Sequence, residues 1–451
     1  MENGQKSYLI SGGGAKAVAA AEKRVQDAID ARIPAIEESL KDILKTSDKS
    51  VVSLDDYKNA VEATVRFDTV GEAAETISNQ NIIPLNIQEE YAMPKIGIKV
   101  DNETNGIDIV NVDFVYHLVD FERNTESKPN FNNLPIYLVA LIDHTKKVKD
   151  IVKDIKDYIL SNKISVDKIL ICPKIYLNSF QPAGEWPSVP KLGDYYKEAK
   201  IQLPDVHIFS GMVTNFTELN RKKPDGDFDG INFSFTPIVH DASDYGVLDT
   251  PNSIKFILHS INNFTKDTPI HIGPMTLGMH FNPYGEKLAP NIDKVRLEMT
   301  DLDPRHDSLF SLNWTIAVFS ETLSKNTKFI TIASLKGIHG ILTESNQKRP
   351  LFHLYEVLLY FKNAKIYKIK KKNSISGVKL VKEEKMYYLL TNNSSNQTSY
   401  ILENETLLQE SYLNKNNFDQ VSKSQFSFLN FADSTKSLSF EPYEIKLIQV
   451  S

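Results

Sequence analysis

Cysteine is nearly missing from this 451-residue chain. Cys172 stands alone, which excludes an internal disulfide and any Cys-rich zinc site. Glycine and proline are sparse at 19 and 20 residues, too few for a collagen-like or low-complexity chain. Long apolar runs are missing too: Leu134–Ile142 spans nine residues, where a membrane helix needs about 20. No basic stretch followed by an apolar core opens the chain, so no secretion signal is read and the expected compartment is the cytoplasm. Basic charge is not in excess, with 52 Lys and Arg against 58 Asp and Glu and a net charge of −6. That balance argues against nucleic acid or an anionic membrane as the main partner. What is present, 41% hydrophobic and 24% charged residues, is ordinary for a soluble globular protein. At about 150 residues per domain the length allows about three domains.

Three zones follow one another. Residues 12–45 place Val18, Ala19, Val25, Ile29, Ile33, Ile36, Leu40 and Leu44 at steps of three, four and seven, the period of an amphipathic helix, with Pro34 bending or breaking it. A second helical stretch covers roughly 54–78, and residues 79–93 read as a linker, so 1–93 form a helical N-terminal segment.

From 94 to about 345, short β-rich runs alternate with helical ones. The runs are KIGIKV (95–100), FVYHLVDF (114–121), PIYLVALID (135–143), KILICPKIYL (168–177), VHIFSGMV (206–213), INFSFTPIV (231–239), IHIGPMTLGM (270–279) and KFITIASL (328–335). Helix-like segments at 145–161, 251–264 and 308–325 lie between them. Apolar strands alternating with helices predict parallel strands covered on both faces. Eight of them match a (β/α)8 TIM barrel. An open doubly wound sheet ranks second, because no Gly-rich dinucleotide fingerprint follows strand one. Residues 350–363 read as a helix closing the barrel domain at 94–363. Residues 364–451 alternate with Asn/Ser-rich turns as a small antiparallel, sandwich-like β domain.

Several motifs have ordinary explanations. SGGGAKA (11–17) is similar to an anion-binding loop of patatin-like lipases, but no G-x-S-x-G elbow accompanies it and no P-loop pattern is present. A flexible start with a helix cap suffices. Asn-x-Ser/Thr triplets, as at Asn215, Asn263, Asn313 and Asn404, are chance in a chain read as cytoplasmic. KIKKK (368–372) is a solvated face.

In a barrel, function sits at the C-terminal ends of the strands. That rule selects Asp101, Asp120 and Glu122, Asp143 and His144, and Lys174 at strands one to four. Strands five and six offer Asn215, Glu218, Asn220 and Arg221, then His240, Asp241 and Asp244. Strands seven and eight add His280 and Asn282, then Ser334, Lys336 and His339. A funnel of carboxylates, amides and imidazoles suits a small sugar-like ligand needing many directed hydrogen bonds. The plainer alternative for Asp101, Asp143 and Asp244 is an N-cap. No H-x-x-x-H or H-E-x-x-H pair occurs among the ten histidines, so no metal or other cofactor is expected. Glu218 and His240 stand out as candidate general bases for water, with a salt bridge from Glu218 to Arg221 or Lys222 as the structural alternative.

MVTNFTELNRKKP (212–224), TPIVHDAS (236–243), GPMTLGMHFNPYG (273–285) and DPRHDSLFSLNWTIAVF (303–319), in this order, resemble the D-apionate lactonase family. The final SLSFEPYEIKLIQVS resembles its closing β domain. The resemblance implies a barrel flanked by β domains and hydrolysis of a branched five-carbon aldonolactone to its acid. It also implies functional roles for Asn215, Glu218, Asn220, Arg221, His240, Asn282, Asp303, Arg305 and Trp314. The chain departs from the pattern in three places: residues 1–93 read as helices rather than a β domain, strand four ends in CPKIYL, and ASLKGIHG (333–340) carries no acid.

The expectation is therefore a metal-independent lactonase acting on a sugar-derived lactone. Glu218 or His240 would activate water, and Asn215, Asn220, Arg221, Asn282, Arg305, Asp303, Trp314 and Asp120 would surround the substrate. The expected partner is that small sugar lactone, with room for a homo-oligomer through the N-terminal helices. Two alternatives remain at this point. One is a glycoside hydrolase, although strands four and seven end without an acid. The other is a non-catalytic carbohydrate-binding homologue.

Overall fold

The computed structural model describes residues 83–84, 87–100, 105–123, 130–177, 190–283, 287–369, 374–401, 405–422, 425–433 and 438–451. The expected helices at 12–45 and 54–78 lie outside the described residues, as does Asp101.

Eight parallel strands close into a barrel: β1 (Lys95–Val100), β2 (Phe114–Asp120), β3 (Ile136–Ile142), β4 (Val166–Pro173), β5 (His207–Asn215), β6 (Gly230–Phe235), β7 (Ile270–Met275) and β8 (Thr327–Ser334). The last strand returns to the first, pairing Phe329 with Lys95, Ile330 with Ile96 and Thr331 with Gly97. All seven residues of β3 are buried, as a strand covered on both faces requires. Each large apolar side chain so enclosed contributes about 1.5–3 kcal/mol relative to exposure.

Helices α1 (Val148–Asn162), α2 (Leu192–Gln202), α3 (Phe216–Arg221), α4 (Ile254–Phe264), α5 (Leu309–Thr322) and α6 (Pro350–Tyr360) follow β3 to β8 in turn. The helix α1 shows how the pattern sets the packing. Ile151, Val152, Ile155 and Tyr158 recur at helical spacing and are its buried stripe, and Lys163 in the left-handed region ends it. The helix α5 is different, with an unbroken buried run from Ser311 to Ser320. It is enclosed on two sides because it touches both the barrel layer and the C-terminal sheet. Asn313 ties the two together, its Nδ2 donating to Tyr443 O at 2.8 Å and its Oδ1 accepting from the Thr391 hydroxyl.

The C-terminal sheet has seven antiparallel strands, in spatial order Ala432–Asp433, Leu407–Leu413, Ile445–Val450, Lys385–Asn392, Ile375–Lys382, Lys365–Ile369 and Ile87–Ala92. The last of these falls within the stretch read as a linker. It is a strand, pairing Tyr91 with Ile366 and Glu90 with Tyr367, and Tyr367 donates its hydroxyl to Glu90 Oε2 at 2.6 Å. IQEEYA alternates only weakly in hydrophobicity, and its partner lies far along the chain, so no local pattern announces it. A protein beginning at Tyr91 would lack Ile87–Glu90 and leave the Tyr367–Ile369 part of the Lys365–Ile369 edge unpaired. We expect it to melt several degrees below one beginning at Pro84, as scanning calorimetry on the two would measure; equal midpoints would make the strand dispensable.

Candidate active site

The barrel interior carries a polar layer. His271 Nδ1 lies 2.5 Å from Asn232 Oδ1, and its Nε2 lies 2.9 Å from Thr331 Oγ1. Tyr137 donates to the same Asn232 oxygen at 3.3 Å, and Asn232 Nδ2 donates to Met212 O at 2.6 Å. Burial, helped by the Lys168 charge, holds the His271 imidazole well below its ordinary pKa, so it is neutral.

Above this layer, the ends of β5, β6 and β7 frame a small cleft. Its walls are Val213, Thr214 and Asn215 from β5; Ser234, Phe235 and Thr236 at the end of β6; and Pro274, Thr276, His280 and Phe281 from β7 and the loop beyond it. Backbone irregularities shape those walls. The β5–β6 register slips between Gly211 and Asn215, and the β6–β7 register slips between Phe233 and Phe235. Such bulges re-aim side chains near sites. Gly211 has φ +120, and a Cβ there would stand 2.1 Å from Asn232 O, so no other residue fits at this approach.

Three of the wall hydroxyls are satisfied by backbone carbonyls. Ser234 Oγ lies 2.8 Å from Val213 O and 3.1 Å from Gly273 O. Thr236 donates to Leu277 O at 2.9 Å and Thr276 to Gly278 O at 2.6 Å. Thr214 Oγ1 and His280 Nε2 are buried and hydrogen-bond to no protein atom. The His280 ring lies 4.2 Å from that of His339, centroid to centroid. His339 in turn sits 6.4 Å from His306, whose Nε2 is 2.9 Å from Gly340 O. Burial and mutual proximity, with Lys99 nearby, keep His280 neutral, and burial pushes His339 down to about 3. Among the described residues, no group of three or more His, Cys, Asp and Glu is arranged to hold a metal ion.

Of the residues selected from sequence, Asn215 lines the cleft. Glu218, only 1% exposed, stands behind it at the third position of α3. Its Oε2 accepts the Asn215 backbone N–H at 3.1 Å, the Glu half of a capping box. Arg221 Nη1 is 4.0 Å from its other oxygen, and Asn220 faces outward on the same helix. His240 is exposed in the loop after β6. Asn282 follows Phe281 and donates to Lys287 O at 2.6 Å.

Asp303 and Arg305 form a buried ion pair instead of lining the cleft. Arg305 Nη2 reaches Asp303 at 2.7 Å and Nη1 reaches Asp244 at 2.8 Å, with Phe310 under the guanidinium. Asp244 also meets Arg296 at 2.9 Å, and Ser243, not Asp244, caps the helix that follows. Asp143 folds a turn onto Thr145 and leaves the cap position of α1 to Lys147. Trp314 stacks on the cleft residue Phe235, at 6.2 Å and 11°, and donates its indole N–H to Thr250. Asp120 and Glu122 grip Lys174 at 3.1 and 2.5 Å, joining the ends of β2 and β4. Strand-end reasoning missed Thr214, Ser234, Thr236 and Thr276 because it looked past the strands to the loops; their short polar side chains within apolar runs were the available signal.

Among solved structures, the chain is similar to AbfB, a family 51 α-L-arabinofuranosidase from Bifidobacterium longum, with TM-score 0.52, 10% identity, and 82% of this chain and 99% of that one covered. It is also similar to a GH30 endoxylanase from Clostridium papyrosolvens C71, with TM-score 0.48, 8% identity, and 81% and 99% covered. At such identities the likeness is one of fold alone. The D-apionate lactonase of Brucella anthropi is 34% identical over 199 residues, which is 43% of this chain but only 33% of that protein. Residues 120–363, just over half of the chain and including the whole cleft, match the family described as "D-apionate lactonase, TIM barrel domain"; the chain belongs to the D-apionate lactonase family.

Proposed function

We propose that this protein opens a sugar-derived lactone of the D-apionolactone kind to its aldonic acid, without a metal, in the cleft at the ends of β5, β6 and β7. The observation that carries this is the cleft itself: a polar-walled pocket at the barrel end where such folds do their chemistry, inside the matched region.

Ester hydrolysis of this kind needs a base for water and donors for the oxygen that becomes negative. Glu218 is buried and already accepts a backbone N–H, which makes it the group that fixes Asn215 and the start of α3. His240, in the loop after β6, is the proton acceptor. The Asn215 amide, on the wall, donates to the carbonyl or to a ring hydroxyl. Among the described residues, the ends of strands four and seven contribute no carboxyl to the cleft walls, so the carboxyl pair of a glycoside hydrolase does not assemble from them.

A panel of aldonolactones assayed by proton release tests the proposal. At least one should open faster with the protein than without it, and a chelator should leave that rate unchanged. No acceleration with any lactone would overturn the activity. A rate lost to chelator and restored by one divalent ion would overturn the metal-free mechanism.

A further inference from the structure

The cleft is lined by six polar side chains, and their hydrogen bonding differs. Ser234, Thr236 and Thr276 bond backbone carbonyls, and Asn215 belongs to the cap of α3. Thr214 and His280 differ: each presents a buried polar atom that no protein atom satisfies, and both line the same cleft, from opposite sides of β6. A buried polar group left unpaired is destabilising, so two of them in one cleft are a sign of a ligand that completes them.

We propose that Thr214 and His280 are the substrate-contacting pair of this cleft and select a ring that bears hydroxyl groups over the same ring without them. This rests on the lactone reading above for its substrate class. A hydroxyl both donates and accepts, so it can satisfy a threonine hydroxyl and also an imidazole nitrogen in either tautomer; a lactone carbonyl only accepts. The imidazole is neutral at assay pH, which suits it to an uncharged polyol. Sites built to bond a ligand hydroxyl discriminate strongly against the analogue lacking it, because their own groups are then left unpaired.

The test uses the full chain with Thr214→Val, which exchanges a hydroxyl for a methyl of like size, and with His280→Leu and His280→Gln. For each protein, kcat/KM is measured on a polyhydroxylated γ-lactone and on unsubstituted γ-butyrolactone. Calorimetry gives the affinity for the acid derived from the hydroxylated lactone, and a melt gives Tm. Thr214→Val and His280→Leu should each reduce the preference for the hydroxylated lactone, and the affinity for its acid, by about 10–100-fold. His280→Gln, which places an amide near the position of Nε2, should recover part of the loss. Thr214→Val should melt no lower than the parent, because it removes an unpaired hydroxyl, whereas a structural role would lower Tm and leave the preference intact. Unchanged preference and affinity in Thr214→Val and His280→Leu would overturn the pair. If no lactone is opened at all, the activity fails separately and calorimetry decides the pair: binding weakened in both variants sustains it, while wild-type-like binding, or no binding to the parent protein, overturns it.

Discussion

His240→Asn should lower kcat for lactone opening by about 10²–10⁴-fold and change KM little, the loss that follows when a general base is removed from a step it assists. The residue is exposed after β6, so the substitution should leave the melting midpoint where it was, and the kinetic change can be read as chemistry. Glu218 provides the contrast. Glu218→Gln keeps an oxygen able to accept the Asn215 N–H and should act mildly. Glu218→Ala removes the cap and leaves Arg221 without its neighbouring carboxylate, which costs about 1 kcal/mol or more; kcat should then fall through misplacement of Asn215, together with Tm. Steady-state kinetics and a melt on all three variants assign the roles. A wild-type kcat in His240→Asn with a large loss in Glu218→Gln would reverse them, and wild-type constants in both would place the base elsewhere.

Acid should destabilise the protein as the pH falls below about 6. Burial holds His271, His280, His306 and His339 neutral in the fold, each with its pKa below the ordinary value of 6.5 and that of His339 at about 3. In the unfolded chain each takes a proton near pH 6.5. Between the folded and unfolded values the unfolded state binds more protons, so stability falls as the pH falls and is flat above about 7. Each group contributes at most about 1.4 kcal/mol per pH unit, and only while the pH lies between its folded and unfolded values, so the losses add as the pH falls. Melts followed by circular dichroism should show Tm level from pH 8 to 7 and dropping steeply from pH 6 to 4. A level Tm down to pH 5 would mean that these rings are protonated in the fold.

Much of the barrel was legible because β strands buried on both faces leave continuous apolar runs. KIGIKV is a strand at 95–100 as read, and the other seven runs differ from the observed strands mainly at their ends. The ends are where legibility stops. VHIFSGMV was read as finishing at 213, yet the strand continues to Asn215, and Thr214 in that extension is a cleft wall. A register slip between Gly211 and Asn215 decides which way Thr214 points, and no periodicity in one strand encodes a slip against its neighbour. Asn215 and Glu218 stand out together from sequence because both lie just past strand five, while the capping box that joins them is visible only in the structure. The burial of Asp303 with Arg305 is not legible in the same way, since the further carboxylate that holds Arg305, Asp244, is 61 residues away. Strand Ile87–Ala92 was missed for the same reason.

That strand gives synthesis of the protein an order. Ile87–Ala92 leaves the ribosome first, and its partner follows only after the whole barrel, with Glu90 and Lys365 separated by 275 residues. At about 5–20 residues per second, the gap lasts roughly 14–55 s. During that time the segment has no sheet to join, and its glutamates, Glu89 and Glu90, discourage pairing with other nascent chains. The barrel can close without it, and the C-terminal sheet cannot be completed until translation is nearly done.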